Sequence, residues 1–512
     1  MGIFDTNVQF TKYKVLKEVI NRAYEGGLQD AYIEIPKKLA PGPKSEYSCC
    51  IYKERAILQE RVKMAMGGHK ENSNVIEVID VACDECPIGG IYVTPACRGC
   101  MLHSCVDACP KGAITIINHK ATIDKEKCIE CGACVKACPY GAIIAQHRPC
   151  IQSCNVKAIS MGKDHKAIID YDKCISCGAC IIKCPFGAIV DKSFVLDIIS
   201  ILQNSNHNQS YKVYAIIAPA IVAQLAYGTV EQVMTAIKQL GFYNVIEVAL
   251  GADITLYREA NEWNEKKTLT TSCCPSFVMY IEKHMPHLKK LISSSPSPMV
   301  ETAALIKRSD PNAKVVFIGP CSSKKVEFQL EKTKGLVDCV MSFEELQAFV
   351  DARGIVPKEL GNSPMDNASY YGRIFSRSGG LTEGLVHEGK RLGIEGIKPI
   401  VMNGMKDIKN NLLMLKLGKS PYNFFEGMAC EGGCVNGALS ITHNPKNKFD
   451  VDKYATSAKE NNIDNTVKLY KMSIEHADSV DLEKDAQEKC EALAINAKTN
   501  KKAKVEAKAE TK

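Results

Sequence analysis

Cys128, Cys131, Cys134 and Cys138, followed by Pro139, read C-x2-C-x2-C-x3-C-P, and Cys174, Cys177, Cys180 and Cys184, followed by Pro185, repeat the pattern. This is the ligand spacing of 4Fe-4S ferredoxin modules, in which the fourth cysteine ligates the neighbouring cluster. Structural zinc takes two separated CxxC pairs instead. The 25 cysteines of the 512-residue chain therefore read as metal ligands before anything else. A disulfide scaffold this rich in cysteine is usually short and secreted. Here residues 1–24 are mixed and charged, without the apolar run or cleavage site of a leader. No stretch of about 18 apolar residues occurs, so no membrane span is expected, and a reducing cytoplasm is. Gly2 with Thr6 has the form of a myristoylation site, but nothing nearby adds the second signal that stable anchoring takes.

A looser copy, Cys97-x2-Cys100-x4-Cys105-x3-Cys109-Pro110, precedes the first motif. Cys105 and Cys109 then reappear as Cys150 and Cys154, and the phrases after them match as well. Lys111-Gly112-Ala113-Ile114 corresponds to Val156-Lys157-Ala158-Ile159. The second copy lacks counterparts of Cys97 and Cys100, because Ala142 and Ala145 stand there. Cys154 closes the set begun by Cys174, Cys177 and Cys180. Cys150 and Cys184 are left needing two ligands, and Cys83 with Cys86 is the unassigned CxxC pair nearby. Four cubanes are therefore expected. Cys97, Cys100 and Cys105 join Cys138; Cys128, Cys131 and Cys134 join Cys109; Cys174, Cys177 and Cys180 join Cys154; Cys83 and Cys86 join Cys150 and Cys184. Four clusters in a row make a wire, which implies an electron source or consumer at one end.

The chain is too long for a single core. Residues 1–80 read as a helical cap, with helices expected at 15–24 and 54–66 separated by Pro36, Pro41 and Pro43. Cys49-Cys50, in the loop before the second, is expected to be a buried structural pair rather than a ligand set. Residues 81–203 are expected to form tandem α+β ferredoxin-like units. Residues 204–210 are polar and turn-rich, a linker. Beyond it apolar strands alternate with helices: strands at 213–218, 245–250, 315–318 and 336–340, helices at 252–263 and 343–351. That alternation predicts an α/β domain over 211–475, with ligands at the carboxyl ends of strands. Cys321 stands at one such end. The turn Arg377-Ser378-Gly379-Gly380 either lets backbone approach a cofactor or is an ordinary loop. Residues 476–512 are Lys-, Glu- and Ala-rich and are expected to be a charged, disordered tail in which Cys490 is incidental.

Three further stretches stand out: Thr271-Ser272-Cys273-Cys274-Pro275, Pro320-Cys321-Ser322-Ser323-Lys324, and Met428-Ala429-Cys430-Glu431-Gly432-Gly433-Cys434. Adjacent cysteines do not easily ligate one small cluster face together, so Cys273 and Cys274 are expected to divide the labour. These stretches resemble the three signatures of the FeFe-hydrogenases, TSCCP, PCxxK and MACxxGC. The resemblance covers roughly residues 212–472, and the iron–sulfur region fits the same family. It implies a fifth cubane on Cys274, Cys321, Cys430 and Cys434. Cys434 would also bridge to a di-iron unit bearing CO, cyanide and an amine-containing dithiolate (azadithiolate). Lys324 matches a lysine that hydrogen-bonds a cyanide, Met428 a thioether against the di-iron unit, and Pro219 and Pro320 backbone that lines its pocket. Cys273 would be the free thiol that handles protons, served by a path through Glu259, Glu262 and Ser293. Taken alone, those two glutamates on one helical face would read as a solvated surface.

Some positions depart from the family's common pattern. Gly319 stands where Met precedes Pro-Cys, Ala220 where serine is usual, and Met299 and Val300 where glutamines are frequent. Asn436-Gly437-Ala438-Leu439 is a shortened glycine run. These features resemble the group B branch. The implied function is reversible reduction of protons to dihydrogen, with electrons exchanged with ferredoxin or a similar small carrier and the di-iron unit supplied by maturation proteins. A cytoplasmic monomer is expected. The alternatives are a relative that serves iron–sulfur assembly without the di-iron unit, and a redox sensor on the same fold. Retention of Cys273 and Lys324 speaks against the first. The formal charge of +7 does not argue for nucleic acid, because five cubanes at about −2 each would bring the sum to roughly −3.

Overall fold

A computed structural model describes residues 3–69, 71–224, 228–365 and 368–475. Gly2, the tail from 476 and Cys490 lie outside the described residues, and so do the readings placed on them.

Three helices open the chain: α1 (Asn7–Glu25), α2 (Ala31–Leu39) and α3 (Ile51–Ala65). The apolar spacing predicts α1 only from residue 15, because its first turns are polar. Thr6 starts it earlier by accepting a hydrogen bond from the Gln9 N–H at 3.2 Å, a side-chain cap. Val15, Leu16, Val19 and Ile20 are buried, and α1 packs on the helix Phe343–Ala352 of the α/β domain. The expectation for Cys49-Cys50 was wrong. Both are exposed, their sulfurs 3.9 Å apart, because the segment turns outward before Cys50 begins α3. The stretch 1–80 is also not wholly helical. Its last strand, β1 (Ile76–Val78), pairs antiparallel with β8 (Ile189–Asp191).

That pairing exposes a nested arrangement. An inner unit holds β2 (Gly90–Val93) paired with β5 (Ile143–Gln146), and the hairpin β3 (Ile114–Ile117)–β4 (Lys120–Ile123). An outer unit of the same design holds β1 paired with β8, and the hairpin β6 (Ile159–Met161)–β7 (Ala167–Ile169). The inner unit is inserted between β1 and the rest of the outer one. Backbone geometry repeats with the sequence: Glu130 and Ser176, Gly132 and Gly178, and Gly112 and Lys157 all take left-handed φ between 52° and 75°.

The C-terminal half is α/β, as expected, but contains two parallel sheets. One has the order β10 (Asn244–Glu247), β9 (Val213–Ile217), β12 (Lys314–Gly319), β13 (Cys339–Ser342); the other runs β11 (Leu269–Thr270), β15 (Phe424–Met428), β14 (Pro399–Asn403). Two boundaries differ from the sequence reading. β10 stops at Glu247 and the next helix starts at Ala249, and β13 starts at Cys339 rather than residue 336. Apolar residues continue across both junctions, so periodicity alone does not mark them. Among the described residues no helix is long and apolar enough to cross a membrane.

A buried charge cluster joins all three regions. Lys325 Nζ donates to Asp191 Oδ2 and Glu345 Oε1, each at 2.8 Å, and Lys12 Nζ lies 2.5 Å from Asp191 Oδ1 and 2.6 Å from Glu344 Oε2.

Candidate functional site

Parallel strands leave their carboxyl ends at one edge, and both sheets present that edge to the same space. β11 leads into Cys273 and Cys274, β12 into Pro320 and Cys321, and β15 into Met428, Cys430 and Cys434. β9 ends at Ile217, and past Ala218, Pro219 begins a short 3-10 turn. Cys274 caps the helix Pro275–His284, whose Pro275 is preset for a first turn. Close approach is built in by glycine. A Cβ on Gly433 would stand 2.5 Å from the Ser378 N, and one on Gly437 2.4 Å from the Pro320 O. The turn at Ser378 therefore packs against the Cys430–Cys434 loop. It is held from behind by buried Glu426, which accepts from the Gly379 and Thr382 N–H groups at 2.8 Å each.

The thiols of Cys274, Cys430 and Cys434 are raised, first by burial and then by one another and Cys321. Four sulfurs so placed are costly as bare thiolates and gain by binding a cation core. Lys324 is buried, its Nζ 2.5 Å from Glu327 Oε2 and 3.3 Å from the Cys273 carbonyl oxygen. Burial alone would lower its pKa, but Glu327 and the neighbouring cysteines raise it, so it carries charge. Met428, Met299, Val300 and Ala220 are buried. The Ser376 and Ser378 hydroxyls are buried without a partner among the described residues. The set of four thiols, one ammonium, one thioether and orphan hydroxyls fits an anionic iron–sulfur group.

Cys273 is buried, its thiol pushed well up by burial and then by Glu259. A chain of polar groups leads away from it. Glu259 Oε1 accepts from the Ser272 N–H at 3.3 Å, and its Oε2 has no partner among the described residues. Burial raises the Glu259 carboxyl to about 8. Ser293 Oγ donates to Glu262 Oε2 at 2.7 Å and lies near enough to Glu259 to offset part of the upward push of burial on that carboxyl. Ser293 is positioned because its N–H donates to the Thr270 carbonyl at 2.8 Å, extending the β11 edge. Glu262 borders a surface cleft of about 470 Å³. Burial would raise its carboxyl, but Lys266 Nζ, 2.6 Å away, and Ser293 outweigh that and lower it.

The solvated-face reading of these glutamates is thus incorrect. The helix Ala249–Lys266 is wrapped by Pro298–Ser309, Tyr370–Ile374, Gly380–Arg391 and Asp464–Glu475, and both carboxyls are buried. Lys266 was missed, though its i,i+4 spacing from Glu262 was a usable signal. Glu426 had none.

The accessory cysteines come together as grouped from the sequence. Cys97, Cys100, Cys105 and Cys138 line one cavity, Cys109, Cys128, Cys131 and Cys134 a second, and Cys83, Cys86, Cys150 and Cys184 a third. Cys154 is close enough to Cys174, Cys177 and Cys180 to push up all three thiols. Cys177 is near enough to Cys274 and Cys430 to interact electrostatically with both, so this set adjoins the strand-end site. No three His, Cys, Asp or Glu side chains among the described residues close on a single ion; the sets ring cavities, as polynuclear clusters require. In each set one cysteine, Cys109, Cys138, Cys154 or Cys184, accepts a backbone bond from the alanine four residues on: Ala113, Ala142, Ala158 and Ala188 donate at 3.2–3.3 Å. Ala121 donates to Cys97 at 3.4 Å and its repeat counterpart Ala167 to Cys83 at 3.3 Å. Cys83 and Cys86 therefore occupy in the outer unit the places of Cys97 and Cys100 in the inner.

Comparison with known proteins agrees with this construction. Residues 211–438 match the family described as "Iron only hydrogenase large subunit, C-terminal domain"; residues 96–142 match a 4Fe-4S dicluster domain and 167–190 a 4Fe-4S binding domain. Iron hydrogenase 1 of Clostridium pasteurianum is 32% identical over 278 residues, 44% of this chain and 48% of that protein, so the match spans about half of that relative's length. The periplasmic [Fe] hydrogenase large subunit of Nitratidesulfovibrio vulgaris is 30% identical over 44% of this chain and 68% of its own. A probable cytosolic Fe-S cluster assembly factor of Aedes aegypti is 27% identical over 42% of this chain and 57% of its own. Among solved structures, a variant of [FeFe]-hydrogenase HydA1 from Chlamydomonas reinhardtii aligns with a TM-score of 0.47 at 20% identity, over 57% of this chain and 95% of that one. With the matched segment running through Cys274, Cys321, Cys430 and Cys434, and the periplasmic large subunit covered over two thirds of its length, the chain belongs to the iron-only hydrogenase family.

Proposed function

We propose that this protein is an FeFe-hydrogenase that interconverts protons, electrons and dihydrogen, exchanging electrons with ferredoxin or a similar small carrier through four accessory 4Fe-4S clusters. The observation that carries the reading is the polar chain Glu262–Ser293–Glu259 between a surface cleft and the buried thiol of Cys273. A cluster-carrying assembly factor has no use for a buried carboxyl relay ending at a thiol that ligates nothing.

Cys274, Cys321, Cys430 and Cys434 would hold the fifth cubane, and Cys434 would also help hold the di-iron unit. That unit, with its CO, cyanide and azadithiolate ligands delivered by maturation proteins, supplies when bound the metal site at which protons and electrons combine. The chain's own residues do the rest. Lys324 places a positive charge and N–H donors in a dry pocket, where an anionic ligand needs both. Met428, Met299 and Val300 exclude water. Pro219 and Pro320 fix the strand-end backbone around the pocket. The Cys273 thiol holds a proton at Sγ, and the Glu259 carboxyl, neutral at neutral pH when its pKa is about 8, holds the next. Ser293 Oγ passes protons between the two carboxyls, and Glu262, ionised beside Lys266, exchanges with solvent at the cleft.

The test is infrared spectroscopy of chain matured with the di-iron assembly proteins, alongside hydrogen evolution from a reduced carrier. CO and cyanide bands with turnover are expected, and about 22 irons per chain from five four-iron clusters and a di-iron unit. Absence of the bands in chain that holds its cubanes would favour the assembly-factor reading, which the Aedes aegypti relative represents.

A further inference from the structure

Of the three buried arginines among the described residues, Arg373 pairs with Glu247 at 2.8 Å. The other two meet no carboxylate. Arg148 is 3% exposed and spends its guanidinium on the Cys83 sulfur at 3.3 Å and on the carbonyls of Cys86 and Pro87 at 3.0 and 3.1 Å. Arg61 is 7% exposed and donates Nη2 to the Phe186 carbonyl at 3.1 Å, while its buried Nη1 has no partner. Neither has a carboxylate within ion-pair distance among the described residues, yet an unpaired buried charge is expensive. Both flank one cysteine set: Arg148 lines the cavity of Cys83, Cys86, Cys150 and Cys184, and Arg61 is close enough to Cys184 to interact with its thiolate. The counter-charge these two cations lack is the anionic cluster between them.

We propose that Arg148 and Arg61 tune this centre to be the most readily reduced of the four accessory clusters, so that it stores an electron within the wire. The inference rests on the four-cluster reading above. Reduction adds one negative charge to a centre that already carries about −2. Hydrogen bonds to sulfur and nearby positive charge favour the reduced form. The other three sets receive backbone N–H bonds to sulfur of the same kind, but among the described residues Arg148 is the charged donor to an accessory cysteine sulfur, whereas Lys283 reaches the Cys174 carbonyl at 2.7 Å. The step itself is simple. One electron leaves a reduced one-electron carrier, which is oxidised, and enters the centre, which is reduced; no proton moves. The centre shares the outer unit with the set of Cys177, which adjoins Cys274 and Cys430. An electron held there waits one step from the neighbour of the catalytic site, useful to a reaction that consumes two.

The test uses full-length chain reconstituted with iron and sulfide but not matured, titrated anaerobically with dithionite and followed by electron paramagnetic resonance. The first centre to be reduced should vanish in Cys83→Ser/Cys86→Ser, with loss of about four irons. In Arg148→Gln, with iron unchanged, its reduced-to-oxidised ratio at a fixed potential should fall at least about tenfold, which for one electron is about 59 mV. The other centres should stay in place. Arg148→Lys, which keeps charge but loses the fork, and Arg61→Lys should fall between. An unshifted first signal in Arg148→Gln, Arg148→Lys and Arg61→Lys overturns the proposal. So does a first signal that survives the double cysteine substitution. Unchanged iron in that double variant would instead remove the fourth cluster, and with it both readings. If Arg148→Gln fails to hold its iron, the two lysine variants decide.

Discussion

Gly178 sits so close to Ala438 that a Cβ built on it would stand 2.3 Å from the Ala438 Cβ and 2.7 Å from the Ser322 Oγ. Ser322 in turn donates to the Ser176 carbonyl at 2.7 Å. The loop that carries Cys177 is thus seated on the turn after Cys321 and on the segment after Cys434. A glycine set against the short side chains of Ala438 and Ser322, not long side chains, sets the distance between the nearest accessory set and the catalytic one.

Gly178→Ala should break that seat, since it adds a clash at a φ of 75° where an L-residue is disfavoured by roughly 1–2 kcal/mol. Iron content should hold, while hydrogen evolution driven by a protein electron carrier drops by roughly tenfold or more, a barrier rise of about 1.4 kcal/mol. Unaltered carrier-driven turnover would mean that the close approach is not needed for electron delivery.

The two adjacent cysteines should behave differently. Cys274→Ser should prevent assembly of the fifth cubane and retention of the di-iron unit. Cys273→Ala should leave every cluster and the CO and cyanide bands in place, yet slow turnover by about 10²–10⁴-fold, the usual worth of a positioned acid/base. Loss of the bands in Cys273→Ala would make that thiol a ligand or a structural group.

Glu259 links activity to pH and stability. Its carboxyl rises from 4.5 to about 8 on folding, chiefly by burial. Between those values the folded chain holds a proton that the unfolded chain releases, so this group's contribution to stability falls as pH rises. Glu259→Gln should flatten the decline of the unfolding midpoint between about pH 4.5 and 8, measured by calorimetry on unmatured chain, and slow turnover. A slope equal to that of the parent would mean that Glu259 is ionised in the fold.

Asp191 stands between Lys12 and Lys325 at the meeting of three regions. Asp191→Asn leaves two buried ammonium groups short of one carboxylate, and removing one partner of a buried pair typically costs about 3–5 kcal/mol. Limited proteolysis should then cut between α1 and the outer unit well below the parent's unfolding temperature. Resistance equal to the parent would show that the cluster is not what holds these regions together.

The cysteines made much of this legible, for a physical reason. Cluster ligation forces short, rigid spacings, so Cys128 to Cys138 and Cys174 to Cys184 announce themselves locally. Even Cys83 and Cys86 follow by elimination. Nesting does not, because a strand such as β1 carries no mark of which distant strand will cover it. Glu259 and Glu262 failed as a surface reading because helices far away in the chain decide what is buried. Arg148 and Arg61 gave no signal, since a lone arginine reads the same whether it faces water or a sulfur. Cys49-Cys50 misled because adjacency says nothing about which way a loop turns.

The nesting has a consequence for how the chain is made. β1, Cys83 and Cys86 leave the ribosome before the whole inner unit, yet their partners Cys150, Cys184 and β8 come after it. Ile76 must wait for Asp191, a separation of 191 − 76 = 115 residues. The inner unit eases that wait. Gly90 and Gln146, its first and last strand residues, lie side by side, so once it has folded, the long intervening segment behaves as a short tether, and closing a shorter loop costs less entropy. Cluster loading on the growing chain should therefore run from the inside outward, with the centre of Cys83 and Cys86 filled only after the two inner ones.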